Sequence, residues 1–92
     1  MYKVKVTIPQ HFRKITEGDS EVYVVCENVK QAINILESKY PGIKEKIIDG
    51  DKKLKKYVNI YINDENVRFL NELDSKIKDG DEIFILPAIA GG

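Results

Sequence analysis

The chain has 92 residues and a formal net charge of zero, with 15 Lys plus Arg and 15 Asp plus Glu. This length suits one small domain, and the charge balance argues against a nucleic-acid-binding protein. One cysteine and one histidine exclude an internal disulfide and favour no metal site. No apolar run approaches the roughly 20 residues that cross a bilayer, and the opening residues alternate instead of forming a signal peptide. We therefore expect a cytoplasmic protein without membrane, metal or nucleic-acid partners.

The first part of the chain predicts a β-hairpin. Apolar residues alternate with polar ones over residues 2–8, and a second alternation covers residues 22–26 after the polar stretch 17–20. Cys26 shares the parity of Val22 and Val24, so we expect its side chain to lie in the core as a small apolar group.

A helix is predicted to follow this hairpin. Asn28 is a good N-cap residue, and Gln31, three positions later, completes a capping box. The Pro-Gly pair at positions 41–42 ends the helix. Its apolar residues recur at helical spacing and give it one buried stripe: Val29, Ala32, Ile33, Leu36 and Tyr40.

The second half predicts the remaining strands. Residues 57–62 alternate and lead into a turn at 63–66, residues 67–69 form a short return strand, and residues 83–86 form the last strand. The element order predicts an α+β fold of the β-grasp, ubiquitin-like type, with a mixed sheet of four to five strands and one main helix on one face. In this arrangement the first and last strands are parallel neighbours. Residues 1–87 are expected to form the domain and residues 88–92 a flexible tail ending in Gly-Gly.

The tail predicts a carrier function. Glycine has no Cβ, so Gly91 and Gly92 can pass through a narrow channel and present the Gly92 carboxylate to a buried reaction centre. The tail residues before them are Ala88, Ile89 and Ala90, of which the two alanines are small. A carboxylate is a poor electrophile and must first be activated, for example as an acyl-adenylate. The chain has neither a G-x-x-x-x-G-K-[ST] loop nor a convincing Ser, His and Asp set. We therefore interpret it as a carrier without catalytic residues of its own.

Two segments resemble the ubiquitin-like sulfur carriers: V-N-I-Y-I-N-D-E-N-V-R-F at positions 58–69 and D-G-D-E-I-F-I-L-P-A-I-A-G-G at positions 79–92. The likeness is closest to the carriers of cysteine biosynthesis, followed by the small subunit of molybdopterin synthase, and the chain is longer than the typical thiamine-pathway carrier. The resemblance implies that a ubiquitin-activating-type enzyme uses ATP to adenylate Gly92, which then becomes a thiocarboxylate. No cofactor is expected to bind to the chain itself.

The resemblance also implies a sulfur acceptor. In the cysteine route this is an activated serine derivative on a pyridoxal-phosphate enzyme, and a protease later removes the cysteinyl adduct. In the molybdopterin route it is a pterin precursor on the large synthase subunit. The alternatives are a ubiquitin-like modifier conjugated to lysines through Gly92 and a noncovalent interaction module.

A docking surface for these partners is predicted beside the tail. Phe84 and Leu86 alternate with Ile83 and Ile85. If Ile83 and Ile85 face the helix, Phe84 and Leu86 face away from it and lie beside Tyr61 on the neighbouring strand. The alternatives are a central strand that is apolar on both faces, or an outer face covered by a loop.

Overall fold

Five strands form one mixed sheet in the computed structural model, which describes residues 1–50 and 52–87. The strands are β1 (Tyr2–Thr7), β2 (Glu21–Cys26), β3 (Val58–Ile62), β4 (Glu65–Asn66) and β5 (Glu82–Pro87). Their order across the sheet is β2-β1-β5-β3-β4. β1 and β5 pair in parallel, whereas the other neighbours are antiparallel. This arrangement confirms the predicted β-grasp fold and places the first and last strands side by side.

The main helix, α1, spans Val29–Lys39 and covers the inner face of the sheet. Its first turn is capped by Asn28, whose Oδ1 accepts a hydrogen bond of 2.8 Å from the backbone N–H of Gln31. The Gln31 side chain accepts from the N–H of Glu27, one residue before the position that a capping box predicts. A short second helix, α2, spans Lys44–Ile47. No helix within the described ranges is long and apolar enough to cross a membrane.

The core lies between α1 and the inner face of the sheet. Cys26 is fully buried there, as predicted, and burial raises the pKa of its thiol. The main helical contributors to the core are Val29, Ala32, Ile33 and Leu36, and the main strand contributors are Val4, Val6, Val22, Val24, Ile60, Ile83 and Ile85.

The prediction of a return strand at residues 67–69 is wrong. The tight turn does form, with Asn63 in the left-handed region at φ 56°, but the return strand is β4, only two residues long. Val67–Phe69 is a 3₁₀ turn, because the Asn66 side chain accepts a hydrogen bond of 2.9 Å from the Arg68 N–H. Asn side chains compete in this way with the backbone bonding of a sheet.

One polar contact ties the loop after β1 to the end of α1. The buried Tyr40 donates a hydrogen bond of 2.5 Å from its hydroxyl to Oδ2 of Asp19. We expect Tyr40→Phe to lower the free energy of unfolding by about 1 kcal/mol, a typical net value for one hydrogen bond. Urea unfolding at neutral pH measures this difference, with the exposed Tyr23→Phe as the control expected to leave stability unchanged.

The hydrogen bond between Tyr40 and Asp19 also makes the difference in unfolding free energy between the wild type and Tyr40→Phe depend on pH. The hydrogen bond to Asp19 and burial raise the pKa of Tyr40 from 10.0 to about 12. The stabilisation is therefore complete below pH 10 and is lost as the pH rises towards 12, because the unfolded tyrosine ionises first. The stability gap between the wild type and Tyr40→Phe should narrow across that window, and a constant gap would contradict this role.

Candidate functional site

The carboxyl end of β5 fixes the point from which the predicted tail leaves the domain. β5 lies between β1 and β3, and Pro87 is paired with Val58 of β3. β5 pairs with β1 as far as Phe84 and with β3 as far as Pro87, so the hydrogen bonds to β3 set the direction in which the chain leaves the sheet. The predicted sulfur-carrying residue Gly92, and the tail residues Ala88, Ile89, Ala90 and Gly91, lie outside the described residues.

The three predicted docking residues share the outer face of the sheet, which is the face turned away from α1. Tyr61 is directly opposite Phe84 across the β3–β5 pair, and Leu86 is opposite Asn59 two residues further towards the tail. Leu86 is 43% exposed, whereas Tyr61 and Phe84 are half-buried. No described loop therefore covers Leu86, and the outer face is open at the end where the tail begins.

Charged residues occupy the next part of the outer face. Lys5 lies between two carboxylates in this charged part. The Nζ atom of Lys5 is 3.2 Å from a carboxylate oxygen of Glu82 and 3.4 Å from one of Glu21. The hydrogen bond with Glu82, followed by that with Glu21, raises the pKa of Lys5. Since Glu82 begins β5 and Leu86 stands near its end, the apolar part of the β5 surface lies towards the tail.

Arg68 links the 3₁₀ turn Val67–Phe69 to the start of β3 through contacts that the sequence pattern alone does not specify. Its Nη2 donates to the backbone oxygens of Lys55 and Val58 at 2.7 and 2.8 Å, and its Nε donates to Oδ1 of Asn59 at 3.2 Å. These bonds hold the 3₁₀ turn Val67–Phe69 against the start of β3. The hairpin register contains a signal for this contact, because extending the Tyr61–Asn66 pair by two residues places position 59 opposite position 68.

Comparison with known proteins identifies a family and several similar proteins. The ThiS family profile matches residues 6–92. The sulfur carrier protein CysO of Mycobacterium tuberculosis is 44% identical over 91 residues, covering 97% of this chain and 98% of the relative.

Two solved structures also superpose closely. A chain in the Amycolatopsis orientalis BexX/CysO complex has a TM-score of 0.91 and 42% identity, covering 97% of this chain and 99% of the other. The small archaeal modifier protein 1 of Methanosarcina acetivorans has a TM-score of 0.85 and 35% identity, covering 100% and 98% respectively.

Proposed function

The chain belongs to the ThiS family, and from this membership we propose that it is a sulfur carrier protein that delivers sulfur as a thiocarboxylate on Gly92. The near-full-length similarity to the sulfur carrier protein CysO carries the proposal. The family match supports it, since it extends to Gly92, the residue proposed to carry the sulfur. The same similarity favours cysteine biosynthesis over molybdopterin synthesis. We place the protein in the cytoplasm, where the ATP that this reaction uses is available.

The proposed chemistry has two steps, both catalysed by an adenylating partner. The Gly92 carboxylate attacks the α-phosphate of ATP, a P–O bond forms, and pyrophosphate leaves. Sulfide then attacks the acyl carbon and displaces AMP, which leaves a C–S bond in a thiocarboxylate. This chain contributes the carboxylate, so we interpret it as a co-substrate and not as an enzyme.

The fold supports this role by limiting where the tail can reach. Five residues follow Pro87, and a fully extended chain gains at most about 3.6 Å per residue, so Gly92 lies within about 18 Å of the strand end. An enzyme that encloses Gly92 must therefore approach the end of β5. We propose that Tyr61, Phe84 and Leu86 provide its apolar contacts there.

Leu86→Asp tests this docking surface. We expect the KM of the adenylating enzyme for the carrier to rise at least about tenfold with kcat little changed, because a charge replaces a central apolar contact. Val25→Asp is the matched control: Val25 is 51% exposed on β2 and lies opposite Lys3. Equal KM values for the two variants would contradict docking at Leu86.

Reconstitution tests the function itself. The carrier is incubated with ATP, sulfide and the ubiquitin-activating-type enzyme of the source organism, and the intact mass is measured. We expect AMP release and a mass gain equal to the exchange of one oxygen for one sulfur, localised to Gly92. AMP release without sulfur incorporation would argue against the carrier.

The thiocarboxylate form then separates the two pathways. With a pyridoxal-phosphate enzyme and an activated serine derivative, the cysteine route predicts a cysteinyl adduct that stays on Gly92. With the large subunit of molybdopterin synthase and its pterin precursor, the other route predicts that sulfur leaves and the carboxylate returns. Formation of the adduct alone would support the cysteine route.

A protein modifier is the second candidate, favoured by the similarity to the archaeal modifier protein. It would use the same adenylate but form an amide with a lysine of another protein. Lysine peptides carrying the Gly91–Gly92 remnant in source cells would support it, and their absence beside an abundant thiocarboxylate would argue against it.

A further inference from the structure

Large apolar side chains are exposed near the start of β3 and the 3₁₀ turn Val67–Phe69, away from the outer face of the sheet. Phe69 is 87% exposed, Tyr57 is 66% exposed, and Leu70 is 44% exposed. Isolated exposed apolar residues are common on protein surfaces, but neighbouring ones often mark an interaction site. These three residues, here named the side patch, have no role in the core and none in the docking surface described above.

Arg68 holds the two segments of the side patch together. Tyr57 lies in a turn that is closed by a hydrogen bond of 3.1 Å from the N–H of Val58 to the oxygen of Lys55. Arg68, the residue before Phe69, donates to the backbone oxygens of Lys55 and Val58, the two residues that close this turn. The backbone of the two segments that carry the side patch is therefore held in place before any partner binds, which lowers the backbone entropy lost on association.

The side patch lies at the end of β3 that is paired with the start of the tail. Val58 pairs with Pro87, and Tyr57 is the residue immediately before Val58. Asn59 connects the side patch to the outer face, because it is opposite Leu86 and bonded to Arg68. The two apolar surfaces therefore flank the strand end that an enzyme holding Gly92 must approach.

We propose that the side patch is a second docking surface for the enzyme that adenylates Gly92, and that Phe69 inserts into an apolar pocket of that enzyme. This inference rests on the proposed function. The adenylating enzyme is the occupant, because adenylation of Gly92 is the first step for a sulfur carrier and a protein modifier alike. Contacts on two sides of the strand end would fix the direction in which the tail enters the active site.

Steady-state kinetics of ATP–pyrophosphate exchange test the proposal with the full chain. Phe69→Ala and Tyr57→Ala should each raise the KM for the carrier at least about tenfold, with kcat within about twofold of the wild type. Tyr23→Ala is the matched control, because Tyr23 is 61% exposed on the edge strand β2. Phe69→Leu keeps an apolar side chain and should retain most of the affinity. Thermal unfolding checks that these surface variants fold like the wild type.

The outcomes separate this inference from the proposed function. If the wild type supports exchange and the KM values of Phe69→Ala and Tyr57→Ala match that of Tyr23→Ala, the side patch is not a docking surface and the function stands. A lower kcat with unchanged KM would also overturn docking. If the wild type supports no exchange with the adenylating enzyme, the proposed function fails and this inference fails with it.

Discussion

Deletion of Gly92 is expected to reduce thiocarboxylate formation at least about 100-fold while leaving the fold unchanged. The deletion withdraws the terminal carboxylate by up to about 3.6 Å, and a displacement of about 1 Å from a reactive geometry can cost about 100-fold in rate. Within residues 1–50 and 52–87 the core side chains all lie upstream of the deleted residue, so we expect the thermal unfolding midpoint to stay unchanged. Single-turnover formation of the thiocarboxylate, followed by intact mass, measures the loss.

Two controls separate chain length from chemistry at Gly92. Deletion of Met1, which is exposed at the other end of the sequence, should leave the rate unchanged. Gly92→Ala keeps the carboxylate and the chain length but adds a Cβ, so a reduced rate in this variant would indicate a narrow channel in the partner. Wild-type turnover by the chain lacking Gly92 would falsify the assignment of sulfur transfer to this residue.

Ile85→Ala is expected to have the largest effect on stability. Ile85 is 1% exposed on the inner face of the central strand β5 and pairs with the fully buried Ile60. Removal of a buried isoleucine side chain to Cβ costs about 2–5 kcal/mol through lost burial and the cavity left behind. A small domain has a total stability of about 5–15 kcal/mol, so the variant should be much less stable to urea.

Leu86→Ala is the natural control, because Leu86 is the next residue of β5 and faces the opposite side of the sheet. Its side chain is already 43% exposed, so the truncation should cost less than about 1 kcal/mol. The two variants should therefore separate stability from docking: Ile85→Ala lowers stability, whereas Leu86→Ala weakens partner binding. A similar loss of stability in both would contradict the assignment of the two faces.

The element order of the fold could be predicted because local patterns determine it. The period-two alternation of β1, β2 and β3 and the helical spacing in α1 each place one apolar face towards the core, whereas residues 83–86 of β5 are apolar throughout. The same parity correctly placed Cys26 inside and Leu86 outside. In this chain the two periodicities define the core-facing sides of α1 and of the strands β1, β2 and β3.

The side of the site next to β4 was harder to predict because it depends on contacts between segments. Residues 67–69 have the composition of a strand, yet the hydrogen bond between Asn66 and Arg68 turns the backbone into a 3₁₀ turn. This change leaves Phe69 exposed and turns Arg68 towards β3. Neither consequence follows from hydrophobic spacing, since Phe69 is as apolar as a core residue.

The most direct test of the central claim is the intact mass of the protein isolated from its own cells without acid or strong base. We expect a population in which one oxygen is replaced by one sulfur, and fragmentation should localise the change to Gly92. The population should grow when the sulfur acceptor enzyme is depleted. An unmodified mass under both conditions, together with lysine peptides bearing the Gly91–Gly92 remnant, would contradict the carrier and support the modifier.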